Sequence, residues 1–115
     1  MIKKPLELAL NAQINAEFHS AYLYLSMSSY FLSVGLTGSA NWMRVQYQEE
    51  LAHATRFFDY LNERGGRVLL QPIQEVQVDF KGIIDVFEKT LEHEQTVTGL
   101  INHLMDIAIQ ESDHA

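Results

Sequence analysis

Three long stretches of the chain repeat one pattern: apolar or small residues at alternating steps of four and three, with a single glutamate mid-stripe. The first reads Leu10, Ile14, Glu17, Ala21, Tyr24 and Ser28, and the second Met43, Tyr47, Glu50, Ala54, Phe57 and Leu61. The third reads Phe87, Leu91, Glu94, Thr98, Ile101, Met105 and Ala108. Such steps draw a stripe down one side of an α-helix, the stripe along which the helices of a bundle meet. The pattern predicts helices from about Pro5 to Leu32, from about Ser39 to Arg64, and from near Gly82 to past Met105. Pro5 suits a first helical position, and Thr37 or Ser39 is a candidate cap for the second helix.

The connections arrange these helices. Ser33 to Gly38 is a short turn, which makes the first two helices antiparallel neighbours. Gly65-Gly66 stops the second helix, with the left-handed cap the natural role for one of them. Gly65 to Lys81 is long enough to cross a bundle from end to end. Within it Val68-Leu69-Leu70 and Val76-Gln77-Val78 are strand-like in composition, with Pro72 between them. The expectation is an all-α fold: an antiparallel helix bundle with a long crossover before the third helix, in one domain over residues 1–115. Phe18, Tyr22, Leu23 and Phe31 place large apolar groups on other faces of the first helix, which points to packing on more than one side and to an oligomer.

Composition narrows the function. A chain of 115 residues, 47% hydrophobic and 20% charged, has the make-up of one globular domain. Its net charge of −7 argues against a nucleic-acid partner, which needs a basic face, and suits a protein that attracts cations. With no cysteine, any metal would sit on oxygen and nitrogen ligands. Met1-Ile2-Lys3-Lys4-Pro5 is basic, but Glu7, Asn11, Gln13, Asn15 and Glu17 interrupt any apolar run after it. Neither a signal peptide nor a membrane-spanning helix is expected, and the cytoplasm is the expected compartment.

Candidate chemistry centres on Glu50 and His53, three apart and so on one helix face. Counting outward from the first turn at ~1.5 Å per residue, Glu17 falls level with His53 and about one turn from Glu50. Carboxylates brought together in a bundle core would repel and raise one another's pKa unless a cation joins them. Carboxylates with an imidazole suit Fe, Mn or Zn, and glutamates plus Glu-x-x-His motifs projecting from facing helices form the di-iron bundle plan. Tyr24, one heptad from Glu17, is either core packing or a hydroxyl beside the metals. Glu49 lies off the stripe and reads as exposed, with an outer metal site as the other reading. His19, His93, His103 and His114 share no stripe position and read as surface residues. Glu92 and Glu94 flank His93 without facing each other, so no second motif is read there. Trp42-Met43 raises the idea of heme, but a methionine filling a core gap is the better reading, and no heme is expected.

In these residues the chain resembles the non-heme ferritins of bacteria and archaea. The resemblance spans the whole length. It is carried by Asn15-Ala16-Glu17-Phe18, by Ser20-Ala21-Tyr22-Leu23-Tyr24-Leu25-Ser26-Met27, and by Ala40-Asn41-Trp42-Met43. It continues in Gln48-Glu49-Glu50-Leu51-Ala52-His53-Ala54, Asn62-Glu63-Arg64-Gly65-Gly66-Arg67-Val68 and Leu91-Glu92-His93-Glu94. What it implies is a di-iron ferroxidase centre in a four-helix bundle, inside a hollow 24-subunit shell that stores iron. In that pattern Glu17, Glu50 and His53 look like ligands of one iron, with Glu50 bridging and Glu94 a ligand of the second. Tyr24 matches the tyrosine near the centre, and Glu49 an acid of a third, outer iron site. Fe(II), with dioxygen or peroxide, is the implied substrate. The resemblance also implies a fourth helix bearing further ligands, for which the sequence holds no matching stretch, so three bundle helices are expected. Two other readings share the pattern: a rubrerythrin-like di-iron protein that scavenges peroxide, and a non-catalytic helical assembly module. The first commonly adds a four-cysteine site that is missing here, and the second leaves three mid-stripe acids unexplained.

Overall fold

The computed structural model describes residues 1–111. They form three helices, α1 (Lys4–Ser33), α2 (Thr37–Glu63) and α3 (Ile83–Gln110), with no strand among the described residues. The strand-like composition of the crossover is thus not realised. β-Branched residues need a neighbouring strand to pair with, and in an all-helical fold there is none.

Both helix ends before the connections are closed by glycine. Gly35 adopts φ +79°, its N–H reaches the Leu32 carbonyl at 3.2 Å, and Leu36 N–H reaches that of Phe31 at 2.9 Å. Gly65 repeats the device with φ +79°, while Gly65 and Gly66 N–H bond to Asn62 and Leu61 carbonyls at 3.1 and 3.0 Å. Each pair of bonds satisfies carbonyls that the helix itself leaves open. The expected cap of α2 is corrected. The tight Gly35 turn feeds straight into the helix, so Leu36 stands at the cap position without a side-chain bond and Thr37 is already helical.

α1 is antiparallel to both partners. On α2, Ser28 donates to the Ala40 carbonyl at 2.8 Å near the turn, and Ile2 N–H donates to Arg64 at 3.1 Å at the far end. On α3, the Thr90 hydroxyl meets the Met27 sulfur at 3.5 Å, and Lys3 Nζ reaches the Glu111 carbonyl at 3.2 Å. α2 and α3 are therefore parallel, and the crossover must return along the 50 Å length of the molecule. It is tethered to α1 on the way. Asn11 holds the Arg67 carbonyl at 3.0 Å and Leu69 N–H at 2.7 Å, and Ser26 donates to Gln77 at 2.6 Å. Each of α2 and α3 packs on α1 rather than along the other, and they approach where Trp42 faces Phe87 at 5.9 Å between ring centroids.

Every member of the expected α1 stripe is buried, as are Met43, Glu50, Ala54 and Leu61 of the α2 stripe. α3 is different. Val86, Thr90 and Leu104 are buried and His93 and Val97 half-buried, whereas Leu91 is 62% and Met105 56% exposed. The face packed on α1 lies one residue, or about 100°, around the helix from the expected one. The expected stripe instead faces the open side between α2 and α3.

The core divides in two. Ile2, Leu6, Leu10, Ile14, Leu61 and Leu104 fill one end, and Tyr24, Met27, Phe31, Ala40, Met43 and Val86 the other. Met43 is thus the core methionine its position suggested. Between the two clusters lie Glu17, Ser20 and Ala21 of α1, with Glu50 and Ala54 of α2.

Candidate metal centre

Glu17 and Glu50 are 1% and 7% exposed, at the middle of two antiparallel helices whose stripes place them face to face. Ala21 and Ala54, buried one turn further along, leave room that larger side chains would fill. His53 completes the group. Its Nδ1 lies 3.7 Å from Glu17 Oε2 and 3.5 Å from Glu50 Oε2, and one ligand atom from each residue falls within 4.8 Å of the others.

The other buried polar side chains nearby are satisfied within the protein. Ser20 donates to Ala16, Ser28 to Ala40 and Thr90 to Val86, at 2.9, 2.8 and 2.9 Å. Gln13, itself buried, donates to Glu17 Oε1 at 2.9 Å. Among the described residues, the buried side-chain oxygens without a hydrogen-bond partner are Glu17 Oε2 and Glu50 Oε2, the two that face His53. Buried carboxylate oxygens in that condition are costly, and a cation between them would meet both. Two donors about 2.1 Å from a shared ion stand roughly 3.0–3.4 Å apart in tetrahedral or octahedral geometry. The gaps to His53, 3.5 and 3.7 Å, are close to that spacing.

Electrostatics agree with the geometry. Burial first, then the facing Glu17 carboxyl and the charges of Glu94 and Glu49, push Glu50 up to about 9. A bound cation would reverse that preference by partnering the ionised form. Tyr24, fully buried, donates its hydroxyl to the Glu94 carboxylate. Burial and that acceptor hold the phenol above its ordinary pKa, so it remains a neutral donor. Glu94 is exposed, which corrects its expected place inside a buried stripe, and it meets Tyr24 from the open side of α3. Glu49 is exposed on α2 and acts on Glu50 by charge.

Two residues beside the site were not assigned to it from the sequence. Gln13 sits one turn before Glu17 and holds one of its oxygens, and the signal was a polar residue four positions from a stripe acid. His93, expected at the surface, is half-buried with Nε2 2.7 Å from Ser20 Oγ. Its ring stands edge-on to Tyr24 at 5.8 Å and tilted to His19 at 6.1 Å. Burial and the neighbouring His19 lower its pKa. The steps Val86, Thr90, His93 and Val97 carried the signal, once α3 is turned by one residue. His19 is also half-buried, His103 is exposed, and His114 lies outside the described residues.

A sequence profile of the ferritin-like domain matches residues 7–115. The chain belongs to the ferritin family. Over its full length it is 44% identical to the bacterial non-heme ferritin of Bacteroides fragilis (strain 638R), of which it spans 72%. It is 40% identical to the bacterial non-heme ferritin of Campylobacter jejuni, of which it spans 69%. Among solved structures, a novel open-pore ferritin from the hyperthermophilic archaeon Archaeoglobus fulgidus aligns at 52% identity with a TM-score of 0.96, over 98% of this chain and 70% of that one. A form of the A. fulgidus ferritin engineered to be closed aligns at 52% identity and 0.95, over 98% and 69%. The ferritin fold therefore accounts for all three helices and the crossover between α2 and α3. No helix among the described residues is long and apolar enough to cross a membrane.

Proposed function

We propose that this member of the ferritin family binds Fe(II), oxidises it to Fe(III), and keeps the product as a ferric mineral within an assembly of its own copies. The observation that carries this reading is the pair of buried oxygens without a hydrogen bond, Glu17 Oε2 and Glu50 Oε2, aimed at His53 Nδ1. Membership of the ferritin family selects iron from among the ions that such donors suit.

Iron is the substrate. Glu17, Glu50 and His53 hold one Fe(II), and Glu50 gives up its proton as the ion binds. Glu50 bridges toward a second Fe(II) on Glu94, and Glu49 serves an outer iron position. Tyr24 keeps the Glu94 carboxylate in place through its hydroxyl. Each Fe(II) loses one electron; a pair of ions supplies the two electrons that take dioxygen to peroxide or peroxide to water. The chain's part is to fix the geometry and keep the cavity dry. Residues 1–115 form one di-iron domain in this reading. The rubrerythrin-like alternative is disfavoured by the ferritin match over residues 7–115.

Anaerobic titration with Fe(II), followed by mixing with air and recording of ferric absorbance, tests the proposal. The wild type should take up Fe(II) and oxidise it, and Glu50→Ala should lose both. Equal uptake by the two proteins would sink the assignment.

A further inference from the structure

Glu94 reaches the centre from a helix that α2 does not hold. α3 packs along α1, and its face toward α2 is open, with Leu91 exposed one turn from Glu94. The place of the Glu94 carboxylate is therefore decided by how α3 is rotated on α1. Two polar contacts near the centre govern that rotation. One is the Tyr24 hydroxyl on Glu94 itself. The other joins Ser20 Oγ to His93 Nε2 at 2.7 Å.

The direction of the second contact follows from assigning the Ser20 hydroxyl hydrogen to Ala16. Ser20 is fully buried, and its single hydroxyl hydrogen has the Ala16 carbonyl as acceptor at 2.9 Å. The oxygen is then left to accept, so His93 donates and carries its hydrogen on Nε2. The other neighbours bind less directionally: Met27 and Val86 are buried in the adjoining cluster, Thr90 bonds to its own helix and meets the Met27 sulfur only at 3.5 Å, and the His19 ring lies tilted at 6.1 Å. Apolar contacts tolerate rotation better than a directional hydrogen bond does. The His93 ring also stands at 90° to Tyr24 with centroids 5.8 Å apart, so it walls the phenol from the α3 side. Glu94 is the next residue on the same rigid helix. A turn of α3 that breaks the Ser20 contact carries Glu94 off Tyr24.

We infer that His93 is a positioning residue. By donating to Ser20 and flanking Tyr24, it sets the rotation of α3 on α1 and so keeps the Glu94 carboxylate at the Tyr24 hydroxyl. The consequence for a second metal ion rests on the two-ion reading above, whereas the positioning is a property of the metal-free protein.

Three variants separate donor from bulk. His93→Leu keeps volume without a donor, His93→Gln returns an amide N–H near the same place, and Ser20→Ala removes the acceptor. Two measurements apply to each. Proton NMR of the metal-free protein follows the hydrogen-bonded Tyr24 hydroxyl, assigned by its loss in Tyr24→Phe. Calorimetric titration with Zn(II) reads first and second ions separately. In His93→Leu and Ser20→Ala the hydroxyl resonance should disappear and the second ion should bind about 10–100-fold more weakly, as when a ligand loses its supporting hydrogen bond. The first ion should change by less than about threefold on the same scale, and His93→Gln should recover both signals. Retention of the resonance and of second-ion affinity in His93→Leu would overturn the inference. So would a His93→Gln protein that behaves like His93→Leu, or equal weakening of both ions, since each reduces His93 to packing. A wild type that takes up no second ion, with the resonance still responding as described, would uphold the positioning and remove the two-ion reading.

Discussion

At Glu50, burial and the facing Glu17 carboxyl raise the pKa from 4.5 to about 9, and the sign of that shift sets what this residue contributes to the pH response of the metal-free protein. At low pH the carboxyl is protonated in both states and has no effect. As pH climbs past the ordinary value, the unfolded chain ionises while the folded one keeps its proton, so stability falls until the folded value is passed. Melting temperature without metal should therefore drop between about pH 5 and about pH 9, and Glu50→Gln should remove part of the drop. A Glu50→Gln protein whose melting temperature follows the wild-type pH profile would contradict the shift. With a divalent ion bound, the ionised carboxylate is the partnered form and the slope should reverse. Gln13 acts on the neighbouring acid. Gln13→Leu deletes the N–H on Glu17 Oε1 and little volume, so affinity for the first ion should fall about 10–100-fold with helix content unchanged. Unaltered affinity by calorimetry would mean that packing alone orients Glu17.

Two glycines divide the helices and their ends into places with and without room. A Cβ on Gly66 would stand 2.4 Å from Leu61 Cδ1 and 3.1 Å from Ile2 Cγ2. Leu61 is fully buried among Ile2, Leu6 and Leu10, so it has nowhere to yield. Gly66→Ala should cost about 1–3 kcal/mol by overpacking. Gly99 lies inside α3 with nothing within 4 Å of an added Cβ. Gly99→Ala should gain about 0.5–1 kcal/mol, because alanine loses less backbone freedom in a helix. Urea unfolding of both variants checks the pair, and a stabilised Gly66→Ala would show that the end of α2 is looser than its packing implies.

Across the whole molecule, α1 is covered on two sides while α2 and α3 keep apolar faces toward each other and toward solvent. Ile84, Phe87, Leu91, Met105 and Ile109 are exposed on α3, and Trp42 and Val45 on α2. Covering apolar surface is worth about 25 cal/mol per Å², so a helix-length open side favours association by several kcal/mol. Sedimentation of the 115-residue chain should show species larger than the 13.2 kDa monomer. A sharp monomer with a cooperative melt would establish that packing on α1 suffices.

The period of the apolar stripe, the glycines that close α1 and α2, and the length of the crossover were legible in the chain because each is local. A stripe is a count of residues, a left-handed cap needs glycine, and a parallel pair needs a long return. The meeting of Glu17, Glu50 and His53 was legible for the same reason, since antiparallel helices joined by a tight turn keep axial level by simple rise. The rotation of α3 was not. Its apolar residues cover two adjacent faces, Val86-Thr90-Val97-Leu104 and Phe87-Leu91-Ile101-Met105, and both satisfy the same period. Periodicity says that a face is buried, not which of two equal faces meets α1. Packing against the buried Ser20, Tyr24 and Met27 decided it, moving His93 inward and Glu94 to the open side, because the complementarity of one helix surface to another is a property of the pair.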